Sequence, residues 1–129
     1  MYELTVRTRF AAAHSLMNYD GPCARLHGHT WQVEVVFQGH QLDQRGMLVD
    51  FKELKSSVKD VIDELDHQNL NMLEPFKQNS ENNPTAENLA RYIFNSLKTK
   101  FTNSLMEAKI AVVRVGESPE ASAAYREED

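Results

Sequence analysis

Three histidines and one cysteine within the first 29 residues carry side chains that could bind a metal ion. His27 and His29, separated by Gly28, begin an alternating apolar segment, residues 27–38. Alternate residues of a strand point to the same face, so both imidazoles should point inward with the apolar residues that follow. His14 ends an earlier alternating segment and shares the parity of its apolar residues. If the two segments pair as antiparallel strands, the three imidazoles meet at one end of the core.

Burial of three imidazoles is unfavourable unless each finds a partner, and one bound metal ion would satisfy a nitrogen of each ring. A single histidine on an apolar face is usually a hydrogen-bonded core residue. A His-x-His pair beside a third histidine favours a metal site instead, and three histidines with an open position are typical of catalytic zinc. Imidazole also suits iron and other transition ions.

Cys23, the only cysteine, lies four residues before His27 and has two interpretations. It could be a fourth ligand, which would close a structural site of one cysteine and three histidines. It could instead lie outside the metal ligands as a reactive thiolate, favoured by the metal charge and by Arg25. The spacing alone does not separate these interpretations.

Other polar residues stand at the ends of predicted elements. Asp66 and His67 follow the first helix, either as an acid–base pair or as a polar helix terminus favoured by the helix dipole. Asn83 or Thr85 suits the cap of the second helix, where free N–H groups could also hold a polar ligand. Glu117 ends the third strand, where a carboxylate is ordinarily solvated.

The predicted elements that position these residues follow the order strand, strand, helix, helix, strand, strand. Asp50 is a predicted N-cap for the first helix. Segregated strands and helices indicate an α+β domain of residues 1–129, with both helices on one face of a four-stranded antiparallel sheet. The two helices and the last two strands are predicted at residues 51–65, 84–101, 108–116 and 120–126, with a loop at 66–83.

Length and composition restrict the function classes. The chain has 129 residues and a formal net charge of −5, which argues against a partner such as nucleic acid or an anionic membrane. We find neither a signal-peptide pattern nor an apolar run long enough to cross a bilayer. A single cysteine allows no internal disulfide, so we expect a reducing, cytoplasmic location.

The chain carries six short motifs in this order: FAAAH (10–14), CARLHGH (23–29), GMLVDF (46–51), LDHQNLN (65–71), PTAENLA (84–90) and VRVGES (113–118). This ordered set resembles the 6-pyruvoyl-tetrahydropterin synthase family across nearly the whole chain. The resemblance implies the tunnelling fold, a ββααββ subunit whose sheets join into a barrel. It also implies a homo-oligomer, often a hexamer, with active sites at subunit interfaces.

The same resemblance implies a role for each candidate residue. It makes Cys23 the catalytic base, and it makes His67 with Asp66 a second acid–base pair that faces Cys23 across a subunit boundary. Glu117 would anchor the guanidine-like edge of a pterin with help from Thr85. One zinc ion per subunit would be bound by His14, His27 and His29.

The short gap between Cys23 and the HGH sequence resembles the bacterial 6-carboxytetrahydropterin synthases of the queuosine pathway. This branch implies a lyase that converts 7,8-dihydroneopterin triphosphate to 6-carboxytetrahydropterin, acetaldehyde and triphosphate. One alternative is 6-pyruvoyl-tetrahydropterin synthase activity on the same substrate. The other is a non-enzymatic domain whose structural zinc is bound by one cysteine and three histidines. Gly116 departs from the family pattern, in which a bulky residue often precedes the glutamate. The resemblance therefore does not define the pocket wall beside Glu117, although it still implies the Glu117 anchor.

Overall fold

The computed structural model describes residues 1–77, 79–102 and 108–128. Two long strands come first, two helices follow, and two strands lie near the C-terminus, in the order predicted. A further strand of two residues lies between the helices. The elements are β1 (Tyr2–His14), β2 (His27–Gly39), α1 (Phe51–Asp63), β3 (Gln68–Asn69), α2 (Ala86–Thr102), β4 (Lys109–Ser118) and β5 (Ala121–Tyr125).

The sheet has five strands in the order β3-β1-β2-β4-β5, and it is open. All pairings are antiparallel except that of β1 with β3, which is parallel. The prediction of a four-stranded antiparallel sheet was therefore wrong at one edge, where a fifth strand, β3, pairs in parallel with β1. Two residues are too few to produce a period, and β3 exists because β1 offers it a free edge at Ala12 and Ala13.

Residues 66–83 are also more regular than the predicted loop. Short 3₁₀ turns at Leu70–Met72, Glu74–Phe76 and Ser80–Asn82 follow β3. Leu70 and Phe76 are buried in the core, and they hold this segment against the sheet and helices.

One hydrophobic core lies between the sheet and the two helices, so the prediction that both helices cover one face was correct. The inward residues of β1, β2 and β4 alternate with exposed polar ones, as the sequence period requires. The core includes Val6, Phe10, Trp31, Val33, Val35, Phe37, Val113 and Val115 from the strands, with Leu54, Val58, Val61, Ile62, Leu89, Ile93, Phe94 and Leu97 from the helices. Among the described residues, no helix is long and apolar enough to cross a membrane.

The helix starts carry the expected caps. The Asp50 carboxylate accepts the N–H of Lys52 at 2.9 Å, which satisfies one free donor of the first turn of α1. α1 ends at Asp63 rather than at residue 65, and its first residue, Phe51, is 49% exposed. Leu65 is fully buried but lies in the turn after the helix.

Gly116 lies close to the backbone of the β4–β5 turn. The pairing of β4 with β5 shifts register between Gly116 and Ser118, so the strand carries an irregularity at Glu117. A Cβ atom at position 116 would lie 2.9 Å from the carbonyl oxygen of Ala121 and 3.0 Å from that of Ser118. Backbone atoms close this space, and glycine is therefore required by the path of the chain.

We expect Gly116→Ala to lower the free energy of unfolding by about 1–3 kcal/mol, because the added methyl group displaces backbone rather than a flexible side chain. Gly28→Ala is the matched control, since no atom in the described part of the chain lies within 4 Å of a Cβ atom there. Urea denaturation of both variants in the presence of a chelator measures the difference. Equal midpoints for the two variants would show that the β4–β5 turn moves freely.

Candidate metal centre

The three histidines meet at the end of the β1–β2 pair. His14 lies opposite His27 in the antiparallel register, and His29 lies opposite Ala12. One nitrogen from each ring can be chosen such that all three atoms lie within 4.8 Å of one another. The predicted convergence of His14, His27 and His29 is confirmed, and these residues are called the three-histidine centre.

Backbone carbonyls orient two of the imidazoles. The carbonyl oxygen of Pro84 lies 2.7 Å from Nδ1 of His14, and that of Arg25 lies 2.7 Å from Nδ1 of His27. A carbonyl oxygen only accepts, so each Nδ1 must carry the hydrogen. Nε2 of each ring then keeps a free lone pair directed away from the backbone, which is the usual arrangement of a metal-binding histidine.

Among the described residues, two ring nitrogens at this centre have no hydrogen-bond partner. Nε2 of His14 and Nε2 of His29 are both buried and unsatisfied. Burial lowers the pKa of His14, and the neighbouring His27 and His29 lower it further, against the opposing effect of the Pro84 carbonyl. A neutral imidazole with an unpaired buried lone pair is a ligand for a metal ion, so the donor set fits a transition ion such as zinc.

Glu117 faces the same centre from β4. Its position follows Val113 and Val115 on the inward face, so its side chain points to the end of the core where the histidines lie. The carboxylate oxygens lie 3.9 Å from Nε2 of His14 and 3.9 Å from Nε2 of His29, which is too long for hydrogen bonds. The side chain is 42% exposed, so one carboxylate is open to a ligand beside the histidines.

Cys23 lies on the short 3₁₀ turn Pro22–Ala24 that leads into β2, and it is partly buried. Its carbonyl oxygen accepts the N–H of Leu16 at 2.9 Å, which ties the turn to the end of β1. Among the described residues, the group that could hold a metal consists of the three histidines without Cys23. The Sγ atom of Cys23 is thus not among the donor atoms that lie within 4.8 Å of one another.

The side chains of Asp66 and His67 contact each other, which their adjacency in the sequence permits but does not require. Nδ1 of His67 lies 3.0 Å from the Asp66 carboxylate, whose other oxygen accepts the N–H of Ala11 at 2.9 Å. That backbone hydrogen bond, followed by the contact with His67, lowers the pKa of Asp66, so the carboxylate is ionised at neutral pH.

His67 has φ of 60°, a left-handed conformation that a residue other than glycine seldom adopts. The N–H of His67 donates to the carbonyl of Ala11, and this bond to β1 holds the conformation. The imidazole is 82% exposed at an open groove of ≈ 590 Å³ over β1–β3, which His29 also lines. The ring is thus fixed by Asp66 but presented outward.

Thr85 caps α2, which was one of the two predicted possibilities. Its hydroxyl oxygen accepts the N–H of Asn88 at 3.1 Å. The hydroxyl hydrogen is left to donate elsewhere. Pro84, the residue before it, holds His14, so the start of α2 lies against the three-histidine centre.

Two asparagines near this centre are not predicted as site residues by the sequence. The side chain of Asn71 accepts the N–H of Ser15 and donates to its carbonyl, both at 2.9 Å. Asn83 makes the same pair of bonds to Met17, both at 2.9 Å. Asparagine in a polar loop ordinarily indicates a turn, so neither residue type nor spacing predicts these contacts.

Comparison with known proteins gives consistent results. Residues 3–128 match the family described as 6-pyruvoyl tetrahydropterin synthase. The chain is 32% identical to 6-carboxy-5,6,7,8-tetrahydropterin synthase of Haemophilus influenzae, over 98% of this chain and 100% of that protein. It is 40% identical to dihydroneopterin monophosphate aldolase of Pyrococcus furiosus, over 67% of each chain. The structure resembles Caenorhabditis elegans 6-pyruvoyl tetrahydropterin synthase with a TM-score of 0.83 and 28% identity, covering 98% of this chain and 96% of that one.

Proposed function

Because the chain belongs to the 6-pyruvoyl tetrahydropterin synthase family, we propose that it is a zinc-dependent 6-carboxytetrahydropterin synthase of the queuosine pathway. The reaction would convert 7,8-dihydroneopterin triphosphate and water to 6-carboxy-5,6,7,8-tetrahydropterin, acetaldehyde and triphosphate. The observation that carries the proposal is the three-histidine centre, with two buried, unpartnered Nε2 atoms beside the open carboxylate of Glu117.

In this proposal, His14, His27 and His29 hold one zinc ion per subunit. The Nδ1–H bonds to Pro84 and Arg25 support this role, because they leave the Nε2 lone pairs for the metal. When bound, zinc supplies a Lewis acid that acidifies the hydroxylated side chain of the substrate and stabilises charge that develops on its oxygens.

Glu117 is proposed to anchor the pterin. A pterin presents an amino group and a ring N–H on one edge, and a carboxylate accepts two such donors side by side. The carboxylate already lies at the centre and is partly exposed, so an anchored ring would leave its side chain next to the histidines. Thr85 would assist through its free hydroxyl hydrogen.

Two groups are proposed to move protons. Cys23, as a thiolate, would remove a proton from the substrate side chain, and His67 would relay protons with Asp66 holding its Nδ1–H. The exposed position of His67 supports a site shared between subunits, because its ring projects outward from its own chain. A homo-oligomer, with a hexamer as the specific proposal, would then bring His67 of one subunit to Cys23 of the next.

Within the described residues, β3 and β5 form the two edges of an open sheet, and free edges of this kind support assembly of sheets into a barrel. The absence of a basic composition supports a small-molecule substrate rather than nucleic acid or membrane. A cytoplasmic location belongs to the same proposal.

Product analysis of the zinc-loaded protein tests this function against its rivals. We expect dihydroneopterin triphosphate to yield acetaldehyde together with a 6-carboxy pterin. A 6-pyruvoyl product without acetaldehyde would identify the synthase that stops earlier. The Pyrococcus furiosus relative motivates a parallel incubation with dihydroneopterin monophosphate, where faster turnover would favour an aldolase. Absence of turnover with zinc tightly bound would favour a non-enzymatic zinc domain.

A further inference from the structure

We propose that Asn71 and Asn83 are positioning residues that set the place of Cys23 relative to the three-histidine centre. The inference rests on the proposed function, in which Cys23 acts as a base beside the metal. Neither asparagine belongs to the groups that would touch zinc or substrate. Both act through the backbone of the segment that follows His14.

Three consecutive residues after His14 are held by side chains and by the cysteine turn. Asn71 bonds both backbone polar groups of Ser15, and Asn83 bonds both backbone polar groups of Met17, all at 2.9 Å. These four bonds are called the asparagine clamps. Leu16, between the two clamped residues, donates its N–H to the carbonyl of Cys23 at 2.9 Å.

Residues 14–17 therefore link the cysteine turn to the three-histidine centre. The segment begins at His14, whose ring donates to the carbonyl of Pro84. The N–H of Leu16, in the same segment, donates to the carbonyl of Cys23. The clamps hold the residues on both sides of Leu16, whose N–H bonds the carbonyl of Cys23. The surrounding residues 17–20 are exposed and contribute no core packing.

The clamps themselves are built into the fold. Asn83 is 8% exposed, and its own carbonyl accepts the side-chain amide of Asn88 on α2 at 2.8 Å. Asn71 lies in the turn after β3, where its N–H donates to the side chain of Asn69 at 3.2 Å. A rigid support on each side therefore fixes the segment that carries Leu16.

Positioning of this kind affects the rate because a base must reach its proton within hydrogen-bond distance. A displacement of about 1 Å at a reacting group can lower the rate about 10²-fold even when every reacting group is present. Loss of a clamp should therefore lower kcat more than it changes KM.

The test uses Asn71→Ala and Asn83→Ala, with Asn71→Asp and Asn83→Asp as variants that keep the accepting oxygen but replace the donor by a charged oxygen facing the backbone carbonyl. Asn95→Ala, at an exposed position of α2, is the matched control. We expect each clamp variant to bind zinc as the unmodified protein does and to lose about 10–100-fold in kcat. The same substitutions in a Cys23→Ala background should cost little further rate, because the clamps act through Cys23.

A second readout is independent of turnover. Cys23 is the only cysteine, so iodoacetamide uptake by zinc-free protein reports on this residue alone. We expect clamp variants to react about 3–10-fold faster than the unmodified protein, because a released turn opens more often. An unchanged alkylation rate, or an equal loss of kcat in the Cys23→Ala background, would overturn the inference. If the unmodified protein has no activity, the proposed function fails, and the alkylation rates alone decide the positioning role.

Discussion

Replacement of Cys23 by alanine is expected to lower formation of 6-carboxytetrahydropterin by about 10²–10⁴-fold, the range for loss of a general acid or base. The fold and the bound zinc should be retained, because Cys23 lies outside the group of three imidazoles and packs only partly against the protein. Steady-state kinetics, metal analysis and thermal denaturation on one preparation measure the three quantities together.

The same variant separates the two roles that the sequence leaves open for the cysteine. If Cys23 were a fourth ligand, its removal would weaken metal binding, so both the zinc content and the stability of Cys23→Ala would fall. A base would leave the zinc content unchanged. Cys23→Ser is the companion variant, since a hydroxyl keeps the size of the side chain but ionises poorly at neutral pH. Zinc loss in both variants would contradict the assignment of Cys23 as a base.

His29→Ala is expected to remove the bound zinc and to abolish turnover. Loss of an outer partner of a metal ligand usually weakens metal affinity by about 10–100-fold, and loss of the ligand itself should exceed this. His29 is a better choice than His14 for the experiment, because its side chain is 23% exposed whereas that of His14 is 1% exposed and bonded to Pro84. The fold should therefore survive.

His40→Ala is the matched control for the ligand variant, because His40 is exposed in the loop after β2. Metal content after dialysis against a weak chelator, measured alongside circular dichroism, distinguishes loss of ligand from loss of fold. If His29→Ala kept as much zinc as His40→Ala, the three-histidine centre would not be the metal site.

The structure divides the candidate site between elements that differ in how firmly they are held. The three imidazoles lie on two paired strands over a close-packed core, and two of the rings are bonded to backbone carbonyls. Cys23 instead lies on a surface turn whose place depends on the asparagine clamps. We therefore expect substitutions on the surface to change metal affinity less than they change the turnover rate.

The sequence by itself determined the parts of this protein that follow from short-range periodicity. Alternation in β1 and β2 placed His14, His27 and His29 on the buried face, and this followed from the two-residue repeat of a strand. The spacing of apolar residues also located both helices and the last two strands. The family resemblance added roles for Cys23 and Glu117 that the pattern of residues left open.

Only the tertiary structure decided which distant groups meet these residues. His14 contacts a carbonyl 70 positions away, and the asparagine clamps join residues 56 and 66 positions apart. The second strand of the parallel β1–β3 pair and the close approach at Gly116 likewise depend on the path of whole segments. Periodicity records which face of an element is buried, whereas such contacts depend on how loops return to the sheet, and this is set by packing of the complete chain.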